Sequence, residues 1–263
     1  MKFNREFANQ IIDDLINCVD TASKEIMQIY NSDNFETSDK ADGSPLTLAD
    51  KASNQIITEG LKKITPDIAV ISEETFEDTI LKALPNLYWL VDPLDGTREF
   101  INKNDEFTVN IALIEDRKPV FGIVAAPVFE KCWHGSIFDN YHSDKSIPDV
   151  LRIVMSKSHK SDNDKSFLNF LNEKGVNYEI IEKGSSLKLC AIADNEADIY
   201  PRFGPTSEWD IAAAHSVLSA YGGCVLKVDD FSDLSYAKKE SILNPYFICC
   251  LLYTSDAADE LSS

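Results

Sequence analysis

The residues with the clearest chemical potential lie in the stretch WLVDPLDGTREF, residues 89–100. Asp92 and Asp95 follow an apolar run that is typical of a buried strand, and Gly96 and Thr97 come directly after them. Two carboxylates this close repel each other unless a cation or a proton lies between them. Hard oxygen ligands beside the N-terminus of a helical turn suit Mg²⁺ together with a phosphate group. The stretch therefore indicates metal-assisted phosphate chemistry.

The same residues also have a purely local interpretation. Pro93 has no backbone N–H, so we expect the strand to stop there, and Gly96 permits a tight bend. Thr97 is then a suitable N-cap for the helical turn that follows. Because Asp, Pro and Gly are common turn residues, the two aspartates could simply end a strand and cap a turn.

Two further acidic motifs weaken the local interpretation. SEET places Glu73 and Glu74 at the end of the apolar strand IAVIS, and SEWDIAAAH places Asp210 at the start of a helix. Each alone is a weak signal, because strand ends are often acidic and Asp is favoured at helix starts. Together with Asp92 and Asp95 they supply carboxylates from three separate elements, which tolerate one another only with cations between them.

Apolar spacing predicts the elements that must position these residues. In the first half it predicts a helix over 3–30, a helix from a Thr47–Asp50 capping box to about Lys63, strands over 68–72 and 88–92, and a hairpin over 107–128. In the second half it predicts strands at LRIVMS, YEII, ADIYPRF and NPYFICC, and helices near 163–173, 186–193 and 209–221. We therefore expect an α/β fold of layered helices and sheets in two tightly joined halves, 1–150 and 151–250.

The last thirteen residues, 251–263, depart from this pattern. They contain no capped helix and no strand pattern, and the back-translation of CLLYTSDAADE fits an adapter used for sequencing libraries. We interpret the segment as a non-native tail and exclude it from the functional argument. An ordinary disordered terminus is the alternative.

Composition and charge limit the class of protein. The chain has 263 residues, a hydrophobic fraction of 44% and a formal net charge of −19. Such a negative surface argues against a nucleic-acid polymer as partner, but it allows a small phosphorylated substrate beside bound cations. The six cysteines form no C-x-x-C pair, so we expect neither zinc nor disulfides. Without a membrane-length apolar run or a signal peptide, we expect a cytoplasmic location.

Four motifs occur in a fixed order along the chain: SPLTLAD, SEET, WLVDPLDGT and WDIAAAH. They resemble those of the magnesium-dependent, lithium-sensitive phosphomonoesterase superfamily, which includes the inositol monophosphatases. Within that group the chain is most similar to the CysQ-type 3'(2'),5'-bisphosphate nucleotidases, on the motifs DGTREFI, NIALI, SKSH, GSSLK, YPRFGPT and LNPYF. The resemblance extends to about residue 250 and implies a five-layer α-β-α-β-α sandwich.

The resemblance also implies a metal site for two or more Mg²⁺ ions. One ion would be held by Glu73, Asp92 and the Leu94 carbonyl. A second ion would be held by Asp92, Asp95 and Asp210, so that Asp92 bridges the two. This is the two-metal arrangement that activates a water molecule and stabilises the leaving oxygen.

Three residues would act on the attacking water by the same resemblance. Thr97 and Asp50 would orient or deprotonate it, and Glu74 would assist them. For Asp50, the acidic position of a capping box is an equally good explanation.

The substrate would contact several of these residues and a set of cationic or polar ones. The resemblance implies contacts from Glu73, Leu94, Asp95, Gly96, Thr97, His159, Ser185, Lys188, Arg202 and Asp210. Arg202 offers a planar fork suited to phosphate, and Lys188 offers a point charge. A surface histidine and an ordinary helix start explain SKSH and GSSLK equally simply.

The expected activity is hydrolysis of 3'-phosphoadenosine 5'-phosphate to AMP and phosphate, which would clear a by-product of sulfate assimilation. An inositol monophosphatase or other small-sugar phosphatase is the alternative within the superfamily. A cation-stabilised binding protein without catalysis is the alternative from another class. The enzyme is expected to be a monomer or homodimer, cytoplasmic or peripheral at the cytoplasmic face of the inner membrane. The segment 133–151 is shorter than in the resembled nucleotidases, which puts edge packing and oligomer contacts in doubt.

Overall fold

The structure is a computed structural model that describes residues 2–32, 36–40, 43, 45–141, 148–156 and 161–251. Its helices are α1 Arg5–Ser32, α2 Leu48–Ile64, α3 Thr97–Ile101, α4 Asp162–Glu173, α5 Leu187–Ala193 and α6 Glu208–Ala220. Its strands are β1 Ser38–Asp39, β2 Pro45–Leu46, β3 Ala69–Ser72, β4 Leu87–Asp95, β5 Thr108–Glu115, β6 Lys118–Ala126, β7 Lys131–Ser136, β8 Leu151–Met155, β9 Tyr178–Glu182, β10 Ile199–Arg202, β11 Gly223–Lys227 and β12 Phe247–Leu251. Short 3₁₀ helices lie at Glu73–Thr75, Asp78–Ala83 and Pro127–Phe129.

Two long helices, α1 and α2, form the first outer layer. The helical spacing that predicted α1 is confirmed, because Leu15, Val19 and Ile26 are buried on one face against the first sheet. The capping box that opens α2 is also confirmed: the Thr47 hydroxyl accepts the Asp50 N–H, and the Asp50 carboxylate accepts the Thr47 N–H at 2.7 Å. No helix in the described residues is both long and apolar enough to cross a bilayer.

The first sheet has the strand order β3-β4-β5-β6-β7, with β3 parallel to β4 and the other pairs antiparallel. The predicted hairpin is confirmed as β5 and β6. The prediction that the strand stops at Pro93 is wrong, because β4 continues to Asp95. A register shift carries the strand past the proline, so that Asp92 pairs with Asn110 and Asp95 pairs with Thr108. Proline is tolerated in a strand at such an irregularity.

Helices α5 and α6 form a middle layer between the two sheets. Helix α6 is buried on nearly all sides, as expected for a helix covered on both faces. On the first sheet, Gly122 of β6 lies so close to α6 that a Cβ atom there would be 2.2 Å from the Ala213 carbonyl oxygen. Glycine is therefore needed at this contact, because any side chain would push the helix off the sheet.

The second sheet and helix α4 complete the layers. The strand order is β11-β12-β10-β8-β9, and β8 runs parallel to both β9 and β10. One face of this sheet packs on α5 and α6, and the other packs on α4 through Leu171, Ile153 and Met155. The order helix, sheet, helix, sheet, helix confirms the five-layer sandwich that the sequence predicted.

The second sheet includes the first residue of the segment that we excluded on sequence grounds. Strand β12 runs to Leu251, which pairs with Gly223 and is only 6% exposed. The boundary of the excluded tail therefore moves from residue 251 to 252. Residues 252–263 lie outside the described residues, so their interpretation as a non-native tail stays a prediction. The division into halves at residue 150 also stays a prediction.

Besides the two-residue strands β1 and β2, the strands β7 and β11 were not predicted from the sequence. Both lie at sheet edges, and neither has a clear apolar alternation. In β7 the sequence KCWHGS mixes charged, polar and small residues, and only its central and final residues are buried. Pairing with an already formed neighbour explains these strands better than their own composition does.

We expect His215 in α6 to lower the stability of the protein in mild acid. Burial lowers the pKa of His215 to about 4, and its Nδ1 lies 2.9 Å from the Tyr236 hydroxyl. In the unfolded chain the imidazole binds a proton near pH 6.5, so the unfolded state holds more protons between pH 6.5 and 4. The stability that the neutral imidazole contributes is complete above pH 6.5 and is lost as the pH falls towards 4.

Urea unfolding at pH 7.5 and pH 5 measures this effect. Relative to His215→Gln, the unaltered protein should lose about 2 kcal/mol of unfolding free energy between these pH values. The control His134→Gln, a half-buried histidine on β7, should keep the pH dependence of the unaltered protein. The same pH dependence in His215→Gln would contradict the assignment.

Candidate active site

An open cleft of about 1000 Å³ lies where the ends of β4 and β10 meet the start of α6. Its lining residues are Pro45, Glu73, Asp95, Gly96, Thr97, Arg98, Glu99, Met155, Ser156, Ser161, Asp164, Tyr200, Pro201, Arg202, Phe203, Gly204, Pro205 and Asp210. Six of the residues predicted from sequence are among them: Glu73, Asp95, Gly96, Thr97, Arg202 and Asp210. Both halves of the chain therefore contribute to the cleft.

The aspartates of the opening motif sit at the irregular end of β4. Asp92 is 1% exposed, and one of its oxygens accepts the Leu94 N–H at 3.1 Å. Asp95 lines the cleft, and its Oδ2 accepts the Ser186 N–H at 2.6 Å. The side chains of Thr108 and Asn110 approach the same oxygen at 3.4 Å each. The register shift in β4 thus holds the Asp92 carboxylate below the cleft and the Asp95 carboxylate in its wall.

The two glutamates of SEET follow β3 and share one cationic partner. Lys40 donates to Glu73 at 2.6 Å and to Glu74 at 2.8 Å. Sequence reasoning did not select Lys40, because a single lysine in a polar loop carries no signal of its own. Burial raises the pKa of Glu74 to about 7, and the Lys40 ammonium opposes that rise.

Asp210 enters the cleft from the first turn of α6. It occupies the third helical position of a capping box, where its Oδ2 accepts the Ser207 N–H at 2.9 Å. The sequence-based view of Asp210 as a helix-start residue is therefore correct locally. The same position also brings its carboxylate to the lining of the cleft beside Glu73 and Asp95.

These carboxylates are electrostatically strained in the absence of other cations. Burial raises the pKa of Asp92 well above its usual range, and repulsion from Glu73 and Asp95 raises it further. Burial also raises the pKa of Asp210 well above its usual range. Burial raises the pKa of Asp95 to about 6, although the Lys188 ammonium opposes the rise. The arrangement favours positive charge at this point in the molecule.

The described residues do not contain three or more His, Cys, Asp or Glu side chains already arranged around a common metal position. Each of the predicted metal ligands in the cleft lining has a hydrogen-bond partner within the protein. Glu73 is bound by Lys40, Asp95 by the Ser186 N–H, and Asp210 by the Ser207 N–H. The donor set nevertheless fits a hard divalent cation, because it consists of carboxylate oxygens that destabilise one another when ionised.

Thr97 in the cleft lining is hydrogen-bonded to the buried Asp50. The Thr97 hydroxyl lies 3.1 Å from Asp50 Oδ1 and 3.3 Å from the Leu94 carbonyl oxygen. The capping box uses the other oxygen, Oδ2, so the two roles considered for Asp50 do not exclude each other. The prediction that Thr97 is the N-cap of α3 is wrong. Gly96 is the N-cap at φ 93°, a left-handed conformation that favours glycine, and Thr97 is the first helical residue.

The two serines of GSSLK, Ser185 and Ser186, make different contacts. Ser185 was selected, yet within the described residues its hydroxyl is buried and has no hydrogen-bond partner. Ser186 instead donates its N–H to Asp95 and its hydroxyl to Asn110 at 2.8 Å. Asn110 belongs to β5 and to the motif NIALI. Its contact with Ser186 could not be predicted from the sequence, because it depends on the tertiary fold.

Lys188 is 7% exposed and is not among the residues that line the cleft. Burial lowers the pKa of Lys188 to about 8, while nearby Asp95 acts in the opposite direction. Its Nζ lies 5.5 Å from the centre of the Tyr200 ring. The structure thus places Lys188 behind the cleft, as a counter-charge to Asp95.

Arg202, which the sequence predicts to contact substrate, is in the cleft lining. Its guanidinium donates to the Thr206 hydroxyl at 2.6 Å and to the Pro205 carbonyl at 2.7 Å. Arg98 is a second cation in the cleft lining, and sequence reasoning missed it although it lies inside DGTREF. His159 lies outside the described residues, so its predicted substrate contact is not addressed by the structure.

The sequence profile of the inositol monophosphatase family matches residues 8–254. This chain belongs to the inositol monophosphatase family. Membership implies a divalent metal ion, usually Mg²⁺, and the carboxylates around the cleft are suitable ligands for it.

Curated relatives and a solved structure agree with this membership. The chain is 42% identical over 237 residues to the 3'(2'),5'-bisphosphate nucleotidase CysQ of Salmonella typhimurium, covering 86% of this chain and 94% of that protein. It is 39% identical over 248 residues to the protein of the same name from Escherichia coli K12, covering 90% and 98%. The crystal structure of CysQ from Bacteroides thetaiotaomicron matches with a TM-score of 0.79 and 34% identity, over 90% of this chain and 96% of that one.

Proposed function

We propose that this inositol monophosphatase family member is a 3'(2'),5'-bisphosphate nucleotidase that hydrolyses 3'-phosphoadenosine 5'-phosphate to AMP and phosphate. The observation that carries the proposal is the similarity to nucleotidases named CysQ, of which the chain covers 94% and 98% at 42% and 39% identity. The cleft supports it, because Arg202 adds a guanidinium that can bind phosphate to a cleft that is also lined by carboxylates.

We assign the metal-binding role to residues in the wall of the cleft and directly below it. Glu73, Asp92 and the Leu94 carbonyl would hold one Mg²⁺ ion, and Asp92, Asp95 and Asp210 would hold a second. The support for this assignment is that burial, and after it repulsion from neighbouring carboxylates, raises the pKa of Asp92 and of Asp210. When bound, Mg²⁺ supplies positive charge that makes water more acidic and stabilises the negative charge that develops on the phosphoryl group.

The chain's own residues would move the proton of the attacking water. In the proposed step, the Thr97 oxygen accepts a proton from water while the Thr97 proton passes to Asp50 Oδ1, 3.1 Å away. Burial raises the pKa of Asp50, which makes its carboxylate a better proton acceptor. The water oxygen bonds to phosphorus as the bond from phosphorus to the ribose oxygen breaks. The ribose oxygen takes a proton from a solvent water molecule in the open cleft, and Asp50 afterwards returns its proton to solvent.

The assignments of the neighbouring residues rest on their contacts. Glu74 would support Glu73 through their shared partner Lys40. Lys188 would balance the charge of Asp95, and Arg202 would bind the phosphate that is not cleaved. The substrate contact of Ser185 is proposed from the sequence resemblance alone, because its hydroxyl is buried and Ser185 is not in the cleft lining. We propose, from the sequence, that the protein is a monomer or a homodimer.

One comparison of substrates tests the proposed activity. Phosphate release is measured from 3'-phosphoadenosine 5'-phosphate and from inositol 1-phosphate, with Mg²⁺ and with excess EDTA. We expect kcat/KM for the bisphosphonucleotide to exceed that for inositol 1-phosphate by at least about a hundredfold, and both activities to vanish with EDTA. A preference for inositol 1-phosphate would assign the chain to the alternative within the family. No phosphate release from either substrate would favour a binding protein.

A further inference from the structure

The cleft has an apolar part that the phosphate chemistry does not use. Apart from Pro45 of β2, its apolar lining residues come from the ends of two neighbouring parallel strands of the second sheet and from the connection that follows β10. These residues are Met155, Tyr200, Pro201, Phe203 and Pro205. The lining carboxylates that we assign to metal binding come instead from the end of β4, the 3₁₀ helix after β3 and α6. A polar sugar phosphate alone gives no reason for this much apolar surface.

Phe203 is the aromatic ring of this surface that directly follows Arg202. It is half-buried, and its position is supported by two other rings. The Phe167 ring of α4 lies 5.9 Å away at 52°, and the Tyr246 ring lies 6.0 Å away at 90°. Neither of these rings lies parallel to Phe203. They hold its ring in place by edge and tilted contacts, which are favourable aromatic geometries.

We propose that Phe203 is a specificity-determining residue on which the purine base of the substrate stacks. This inference rests on the proposed nucleotidase function and names the group that recognises the base. Base stacking on an aromatic ring contributes affinity without reading hydrogen bonds, so it favours any nucleotide over a sugar phosphate. The adjacent Arg202 would bind phosphate, so consecutive residues would contact the two parts of the nucleotide that inositol 1-phosphate lacks.

The test compares Phe203→Leu with the unaltered enzyme and Mg²⁺. Leucine keeps the apolar bulk but removes the ring face. We expect KM for 3'-phosphoadenosine 5'-phosphate to rise about fivefold or more, with kcat little changed, because stacking is lost in the ground state and transition state alike. KM for a ribose bisphosphate without a base should not change. Phe203→Trp should restore the KM of the unaltered enzyme.

A binding measurement separates stacking from a general structural role. The fluorescence of a 2-aminopurine nucleotide monophosphate should be quenched on binding to the unaltered enzyme and much less on binding to Phe203→Leu. The matched control is Phe170→Leu on α4, a phenylalanine that is 52% exposed and outside the cleft lining. This control should behave as the unaltered enzyme does.

The outcomes distinguish this inference from the proposed function. If the unaltered enzyme hydrolyses the bisphosphonucleotide but Phe203→Leu has the same KM and the same quenching, the stacking role is refuted and the function stands. Equal KM increases for the substrates with and without a base would also refute it, because they would show a general change in the cleft. If the unaltered enzyme does not hydrolyse the bisphosphonucleotide, the proposed function itself fails.

Discussion

Asp95→Asn should reduce kcat/KM for the bisphosphonucleotide by at least about a thousandfold, because loss of several kcal/mol of metal-dependent stabilisation corresponds to that factor. The substitution removes one negative charge from the cleft and keeps the shape of the side chain. The amide oxygen can still accept the Ser186 N–H, which the Asp95 carboxylate accepts at 2.6 Å. We therefore expect the effect on catalysis and not on folding.

Stability measurements provide the control for this variant. Burial raises the pKa of Asp95 to about 6, so the ionised carboxylate is disfavoured in the fold. In EDTA the midpoint of thermal unfolding of Asp95→Asn should therefore equal or exceed that of the unaltered protein. The matched variant Asp229→Asn, an exposed loop residue, should keep full activity. Near-normal turnover of Asp95→Asn with Mg²⁺ would refute the metal assignment.

Lys188→Ala combined with Arg202→Ala should reduce kcat/KM for the bisphosphonucleotide by at least about a hundredfold. A charge-assisted hydrogen bond contributes about 1.5–3 kcal/mol, and about 1.4 kcal/mol corresponds to a tenfold change. Arg202→Ala removes such a bond to the second phosphate, and Lys188→Ala removes the charge that balances Asp95, so the two losses together exceed this factor even when they are not fully additive. Inositol 1-phosphate has no second phosphate, so its turnover should lose only the part that is due to Lys188.

The single variants separate two roles that the structure distinguishes. Arg202 lines the cleft, so Arg202→Ala should reduce the activity on the bisphosphonucleotide selectively. Lys188 is buried beside Asp95, so Lys188→Ala should also reduce the activity on inositol 1-phosphate. The control is Lys227→Ala, which removes a charge on β11 outside the cleft lining and should keep the activity on both substrates. Equal losses on both substrates in Arg202→Ala would contradict its assignment to the second phosphate.

Local signals in the sequence predicted most of the fold. The capping box at Thr47 and Asp50 was predictable because both of its hydrogen bonds join residues three positions apart. The hairpin of β5 and β6 was predictable because two apolar runs flank a short charged turn at Asp116 and Arg117. In both cases the decisive interactions lie between residues that are close in sequence.

Several features could not be predicted because partners distant in sequence decide them. The passage of β4 through Pro93 depends on a register shift against β5 that no local pattern encodes. The choice between Ser185 and Ser186 is decided by Asp95, about ninety residues earlier in the chain. The position of Lys188 behind the cleft depends in the same way on the burial of α5 between the sheets. The composition of GSSLK contains none of this information.

The middle layer has a consequence for the chain as a folding unit. Helix α6 belongs to the second half of the sequence, yet it covers the inner face of the first sheet so closely that Gly122 leaves no room for a side chain. A fragment that ends near residue 150 would leave that apolar face exposed to water, and a fragment that begins there would leave α6 uncovered on one side. Separate expression of the two halves should therefore yield aggregating fragments, and co-expression should be needed to reconstitute the cleft.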